Sequence, residues 1–314
     1  MTRRGSNSLR RAAPLCAGVA LLAFASGCSG PRVLRSRDLD CIFQREGVGR
    51  PAITALAFVD GGKLAIGDYR GDVELLDWRN GVSEARSLAG NGEVLALAAG
   101  DGGLVAIRRS GEPLGWGRLT GASATPEGCV GWSTLSRRIA LQGREPIEGV
   151  PVVAAALAGA RLVSIEGRAP GPAALVCRDR ASGAESWRVE LGHRANALAA
   201  DEGAGCVLAA DPAGVDVRAA ADGRLLERVD VVEAQPHSLR DGRRMLLVQD
   251  AHLAVLDLPA SGRAAHVEPA FDAHRGGVTA VAFSADGSLL ATGGARGDLL
   301  VFRVLPVPQS GVAP

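Results

Sequence analysis

Lysine is all but missing from this chain of 314 residues: Lys63 is the single example among 35 basic side chains, and tyrosine also occurs once. The arginines are scattered without forming a stripe and the net charge is +1, so the electrostatic footprint of a nucleic-acid binder is missing. Aromatic residues make up only 4%, which restricts any core to small aliphatic side chains packed at short range. The apolar run from Ala12 to Ala25 is too short for a comfortable transmembrane helix. Gly100-Asp101-Gly102-Gly103 lacks the G-x-x-x-x-G-K-[ST] pattern that cradles phosphate, and no G-x-S-x-G elbow is present for a hydrolase. No C-x-x-C pair is found, and the five histidines (His193, His237, His252, His266 and His274) include no pair at the spacing of a metal site. Acidic residues fall singly in loops, with no defensible catalytic pair. The sequence therefore offers no catalytic, cofactor or metal residues.

What is present is a folded composition, 47% hydrophobic and 22% charged, punctuated by 42 glycines. The stretch from Asp272 to Val304 shows the organisation best. Apolar runs at Val278–Phe283, Leu289–Thr292 and Leu299–Phe302 are separated by turn residues at Asp286-Gly287 and Gly293-Gly294. Three short strands joined by tight turns form a meander, because glycine accepts the positive φ that hairpins need. The runs are almost wholly apolar instead of alternating, so this sheet is expected to be covered on both faces. A sheet stacked between copies of itself is a blade of a β-propeller.

With His274 ahead of VTAVAFSADGSLLATGG and an apolar third strand ending at Phe302, this unit resembles a WD40 repeat. The resemblance implies a propeller and a protein-binding role. Ala273, Arg296 and Phe302-Arg303 depart from the usual Gly, turn Asp and Trp-Asp, so the hydrogen-bond network that ties His, Ser/Thr, Asp and Trp in that family is expected to be incomplete. Ile53 to Trp78 repeats the unit: Phe58 falls on Phe283, Gly67 on Gly293, and Arg70-Gly71-Asp72 on Arg296-Gly297-Asp298. Both tripeptides spell the sequence that integrins read, but they stand where a turn needs Gly and a polar neighbour in any case.

First strands marked by Leu56, Leu97, Leu157, Leu198, Leu239 and Val281 are separated by 41, 60, 41, 41 and 42 residues. The long interval, between Gly100 and Val150, holds a degenerate blade or an insertion. The expected fold is all-β, a single propeller of four-stranded blades over residues 40–306, with seven blades favoured and six possible. The WD40 resemblance implies that Asp40–Gln44 pairs beside Leu299–Phe302 and so closes the ring. A second echo, Asp179-Arg180-Ala181-Ser182-Gly183 with Trp187 four residues on, is similar to the docking motif of quinoprotein-type propellers, whose Trp packs between blades. Asp77 and Gly81 keep part of that motif, with Ala85 in place of the Trp.

The N-terminus carries Arg3, Arg4, Arg10 and Arg11, then the apolar run, then Ser26-Gly27-Cys28. It resembles a bacterial lipoprotein signal, in which residues 1–27 are removed, Cys28 is lipidated, and 28–39 form a tether. Ala23-Phe24-Ala25 also fits an A-x-A site, which would release a soluble exported protein, and a retained anchor is a third reading. Loss of the leader removes four arginines and no acid, leaving a mature charge of −3. Residues 307–314 read as a tail. Cys41, Cys129, Cys177 and Cys206 are expected to be buried thiols, with a Cys177–Cys206 disulfide as the alternative. His193 and His274 each precede a first strand and are expected to be structural. The functional expectation is a lipid-anchored, non-catalytic platform for protein partners, monomeric and without nucleic acid, on the periplasmic face of an outer membrane if the host has one. The alternatives are an outer-membrane protein assembly lipoprotein of quinoprotein-like type, and a propeller enzyme (quinoprotein dehydrogenase, lyase or lactonase) using the central channel.

Overall fold

The computed structural model describes residues 35–59, 62–87, 92–100, 103–111, 117–125, 128–167, 173–239, 241–259, 264–268 and 271–306. The chain divides into two units, Met1–Arg32 and Val33–Pro314. The leader, Cys28, most of the expected tether and the tail lie outside the described residues. No helix among the described residues is long and apolar enough to cross a membrane.

Six sheets have four or more strands. Blade 1 consists of Ile53–Val59, Lys63–Asp68, Val73–Asp77 and Val82–Ser87, and a two-stranded sheet, Val94–Gly100 with Gly103–Arg108, follows it. Blade 2 (Gly121–Thr125, Gly128–Ser133, Arg138–Leu141, Ile147–Glu148) occupies the long interval between repeats, which is therefore a blade and not an insertion. Blade 3 spans Val152–Ala158, Arg161–Glu166, Ala173–Asp179 and Glu185–Leu191. Blade 4 spans Ala197–Asp201, Cys206–Asp211, Gly214–Ala219 and Leu225–Val229. In blade 5, Gln235–Ser238, Arg244–Gln249 and His252–Asp257 are edged by two short strands, His266–Val267 and Phe271–Asp272. Blade 6 holds Val278–Phe283, Leu289–Gly294 and Leu299–Val304, and its fourth strand is Leu39–Arg45 from the other end of the chain. The favoured count of seven four-stranded blades is thus corrected to six. The sheet of Val94–Gly100 has two described strands.

Two-sided burial explains the unbroken apolar strands. Along Cys206–Asp211, Cys206, Leu208 and Ala210 face the cluster shared with blade 5, while Val207 and Ala209 face the cluster shared with blade 3. Successive side chains of a strand point to opposite faces, so both sets must be apolar. Each fully buried Leu, Ile or Val contributes about 1.5–3 kcal/mol. Innermost strands are richer in alanine because they converge on the channel, where larger side chains would collide. The aligned glycines have the same origin: a Cβ on Gly67 would come within 2.7 Å of Val94, and one on Gly293 within 2.5 Å of Ile53. In each case a β-branched residue opening the next innermost strand fills the space.

Sequence order sets the faces of the ring. Consecutive strands within a blade are antiparallel, so the connection into each innermost strand and the connection between second and third strands emerge together on one face, here the upper one.

Candidate functional site

The innermost strands surround a channel of about 720 Å³ lined mainly by alanines such as Ala55, Ala96, Ala156 and Ala282. Its titratable groups are Asp201, Glu202 and His237. Ser238 donates to Asp201 Oδ2 at 2.5 Å, and Asp201 Oδ1 accepts from the Ala204 amide at 2.9 Å, so this carboxylate fastens blade 5 to the turn of blade 4. His237 precedes Ser238 on the strand, and successive side chains diverge. Among the described residues no group of three His, Cys, Asp or Glu side chains is arranged to hold a metal ion.

His237 keeps some exposure to the channel, yet protein surrounds it, and this desolvation pushes its pKa down to about 4. The folded value lies below the unfolded value of about 6.5, so the folded ring stays neutral where the unfolded chain takes up a proton. Its destabilising effect is absent above about pH 6.5 and grows as the pH falls towards about 4. The full offset is at most about 3 kcal/mol, and less to the extent that channel water reaches the ring. Urea midpoints at pH 7 and pH 4.5 are expected to converge in His237→Gln relative to the parent chain. Parallel pH profiles for the two would rule this out.

On the upper face His274 is buried between two partners. Its Nδ1 meets Asp298 Oδ2, and its Nε2 lies 2.8 Å from Thr292 Oγ1. Burial opposes the charge on Asp298, but the hydrogen bond and charge of His274 outweigh it and hold the carboxyl below its ordinary range. The acid of this network is therefore Asp298, two residues beyond Arg296, the position at which the sequence reading sought it. Phe302 has no side-chain N–H to donate and packs edge-on against Phe271 at 5.9 Å.

His193 has different company. Nδ1 lies 2.7 Å from Asp211 Oδ2 without hydrogen-bond geometry, and Nε2 lies 3.3 Å from Asp216 Oδ2. Arg228 bridges the same two carboxylates at 2.8 and 2.7 Å, and Arg218 adds a third pairing at 2.8 Å. Burial works against both carboxylates, but their arginine hydrogen bonds prevail and lower both pKa values. The cluster serves structure, because each carboxylate is already engaged by guanidinium groups. Trp187 crosses from blade 3 to donate to the Ala220 carbonyl of blade 4 at 3.0 Å, the inter-blade docking expected of it. Cys41, Cys129, Cys177 and Cys206 are all unpaired, and the last two lie in separate clusters. Burial raises the pKa of each, that of Cys129 to about 11, so none is an activated thiolate.

A second cavity, about 330 Å³, opens where blade 1 meets blade 6. Arg45, Arg50 and Arg70 rim it over a floor containing Ile53 and Ile66. Glu74 accepts from Arg45 and Arg50 at 3.0 Å each, and Asp68 Oδ1 accepts the backbone N–H groups of Arg70 and Asp72 at 2.8 and 3.0 Å. The two Arg-Gly-Asp turns flank this seam, with Gly297 lining it opposite Asp72. Sequence repetition aligned the turns, and the packing of Ile53–Val59 against Val278–Phe283 brings them side by side.

No family profile matches the sequence, and no curated protein matches it. The structure is similar to the WD40 domain of Neurospora crassa Pan2, with a TM-score of 0.65 at 14% identity, covering 89% of this chain and 99% of that one. Since 1393 solved chains match to a comparable standard, the likeness carries no activity with it. It shows the fold: an all-β, WD40-like propeller of four-stranded blades.

Proposed function

We propose that this chain is an exported propeller, anchored through lipid on Cys28, that serves as a non-catalytic platform for protein partners. One observation carries the reading. The three most exposed large apolar side chains among the described residues, Val48 (88%), Leu135 (87%) and Val232 (61%), all lie in upper-face connections, and Tyr69 (49%) joins them there. The opposite face carries Val82 (54%) and Leu225 (44%), less exposed than those three; strongly exposed apolar side chains on a face mark an interaction surface. An anchor at Cys28 restricts encounters to a membrane surface and raises effective concentration without new contacts.

An assembly role at the outer membrane, of the quinoprotein-like kind, is the second reading. The Trp187 contact between blades favours it. We propose no catalytic role, because the channel walls supply Ala-lined space and a carboxylate committed to Ser238. Proximity labelling in the native host, with wild type and Cys28→Ala, tests the proposal. The expected result is membrane-bound wild type with a defined set of protein neighbours, and a released variant that loses them. A variant still on the membrane with unchanged neighbours would exclude the anchor, and a wild type with no enriched neighbours would exclude the platform.

A further inference from the structure

We infer that the seam between blades 1 and 6 docks an acidic segment of a partner protein, one in which an apolar side chain is flanked by carboxylates. The inference rests on the platform reading and assigns it a place and a partner chemistry. The seam is tightly built: an ideal Cβ on Gly297 would lie 2.7 Å from both Arg50 Cβ and the Pro51 carbonyl, and one on Gly276 would lie 3.4 Å from Arg296 Nε. Arg50, Arg70, Arg275 and Arg296 therefore emerge from neighbouring connections, and all four are exposed.

The cavity lining is itself balanced, Arg45, Arg50 and Arg70 against Asp68, Asp72 and Glu74, and the exposed Arg275 and Arg296 at its margin tip the seam towards an incoming anion. Glu74 is already shared between two guanidinium groups, Asp68 caps the turn, and His274 holds Asp298. Arg70, Arg275 and Arg296 have no carboxylate within salt-bridge distance among the described residues. Arg45 Nε and Asp298 Oδ1 are both buried without a hydrogen-bond partner, so the exposed guanidinium groups of the rim are the ones an incoming group would meet. Arginine forks bind carboxylates in two-point fashion.

The apolar half of the recognition comes from Ile53 and Ile66 beneath the rim, with Val48 and Tyr69 beside it. Tyr69 is held open by its neighbour: the Arg70 guanidinium lies over its ring at 5.5 Å, and Arg70 Nε donates to the phenol at 3.2 Å. A fixed, exposed aromatic beside arginines is the composition of an interface hot spot. The same geometry argues against reading the tripeptides as adhesion signals, because Asp298 is occupied by His274.

The test is a fluorescence anisotropy titration of the purified full chain with a labelled peptide of four glutamates around one leucine, beside a counterpart with lysine for glutamate. The glutamate peptide is expected to bind, to weaken as salt rises, and to lose at least about tenfold in affinity with Arg50→Ala/Arg70→Ala/Arg296→Ala. Arg224→Ala, exposed at the opposite face, is expected to leave binding unchanged. Should the triple variant melt early, Arg70→Ala alone, at an exposed side chain, is expected to lower affinity about threefold. Absent binding, equal binding of the lysine peptide, or arginine variants that bind like wild type would overturn the proposal. So would phosphatidylglycerol vesicles that compete with the peptide for the same arginines, since the occupant would then be a membrane surface. A failed titration alongside intact neighbour labelling would remove this seam and leave the platform standing.

Discussion

Arg244→Ala is expected to melt about 10 °C below the parent chain, from a loss of about 3–5 kcal/mol on breaking a buried ion pair. Arg244 opens the second strand of blade 5 and is buried. Its three nitrogens each have a partner: Asp38 Oδ1 at 2.7 Å, Asp241 Oδ2 at 2.6 Å and the Leu305 carbonyl at 2.8 Å. Asp38 immediately precedes Leu39–Arg45, and Leu305 immediately follows Leu299–Val304, so one guanidinium grips both ends of the described chain. The Leu305 amide returns a bond to the Asp38 carbonyl at 2.8 Å. Removing the arginine leaves the Asp38 carboxylate buried without its counter-charge, and that penalty exceeds the lost attraction. We therefore expect Arg244→Met/Asp38→Leu to recover much of the stability that Arg244→Ala loses. Thermal melts of the three chains decide it; a double variant no better than the single would mean that packing, and not charge, sets the cost. Arg244 thus fastens the N-terminal strand and the last strand to blade 5.

Gly47→Ala should cost about 2–3 kcal/mol, the scale of overpacking a tight site, although only one methyl is added. An ideal Cβ there would lie 2.1 Å from the Arg296 carbonyl oxygen and 2.3 Å from the Asp298 nitrogen. All of these are backbone atoms, so no side chain can swing aside; the connection out of Leu39–Arg45 must lift off the turn of blade 6. Gly49→Ala provides the comparison. Nothing lies within 4 Å of its Cβ, and its φ of +73° alone is strained, a cost of about 1 kcal/mol. Urea denaturation of both variants is the measurement. Equal losses would show that the seam yields more easily than its distances indicate. Because Gly47 sits at the proposed docking seam, its alanine variant should also bind the glutamate peptide more weakly.

Much of the fold was legible because blades repeat a local rule. Apolar runs bounded by Gly and Asp fix short strands, and a period near 41 residues stacks them, while the pairing of the N-terminal strand with Leu299–Phe302 followed from the WD40 resemblance. The two strands do pair, with Gln44 opposite Leu300, a bulge at Ile42, and Asp40 opposite Arg303, one residue past the expected span. Blade number was less legible. The interval between Gly100 and Val150 contains a four-stranded blade whose short strands, such as Ile147–Glu148, carry too little apolar periodicity to register. Asp298 was missed because periodicity does not say which residue of a turn points back at His274. The Arg244–Asp38 pair was invisible for a different reason: its members are 206 residues apart, and an arginine opening an apolar strand reads as a solvated end. The seam cleft likewise arises only when the first and last repeats become neighbours.

The most direct test of the platform itself is site-specific photo-crosslinking in the native host. Amine chemistry is unsuitable, since Lys63 is the only lysine and its Nζ lies 2.5 Å from Glu84. A photo-reactive phenylalanine analogue would replace Val48 on the upper face and, in a second chain, Arg224 on the opposite face. A discrete protein adduct from position 48 and none from position 224 is the expected result. No adduct at either position, or the same adducts at both, would contradict the account.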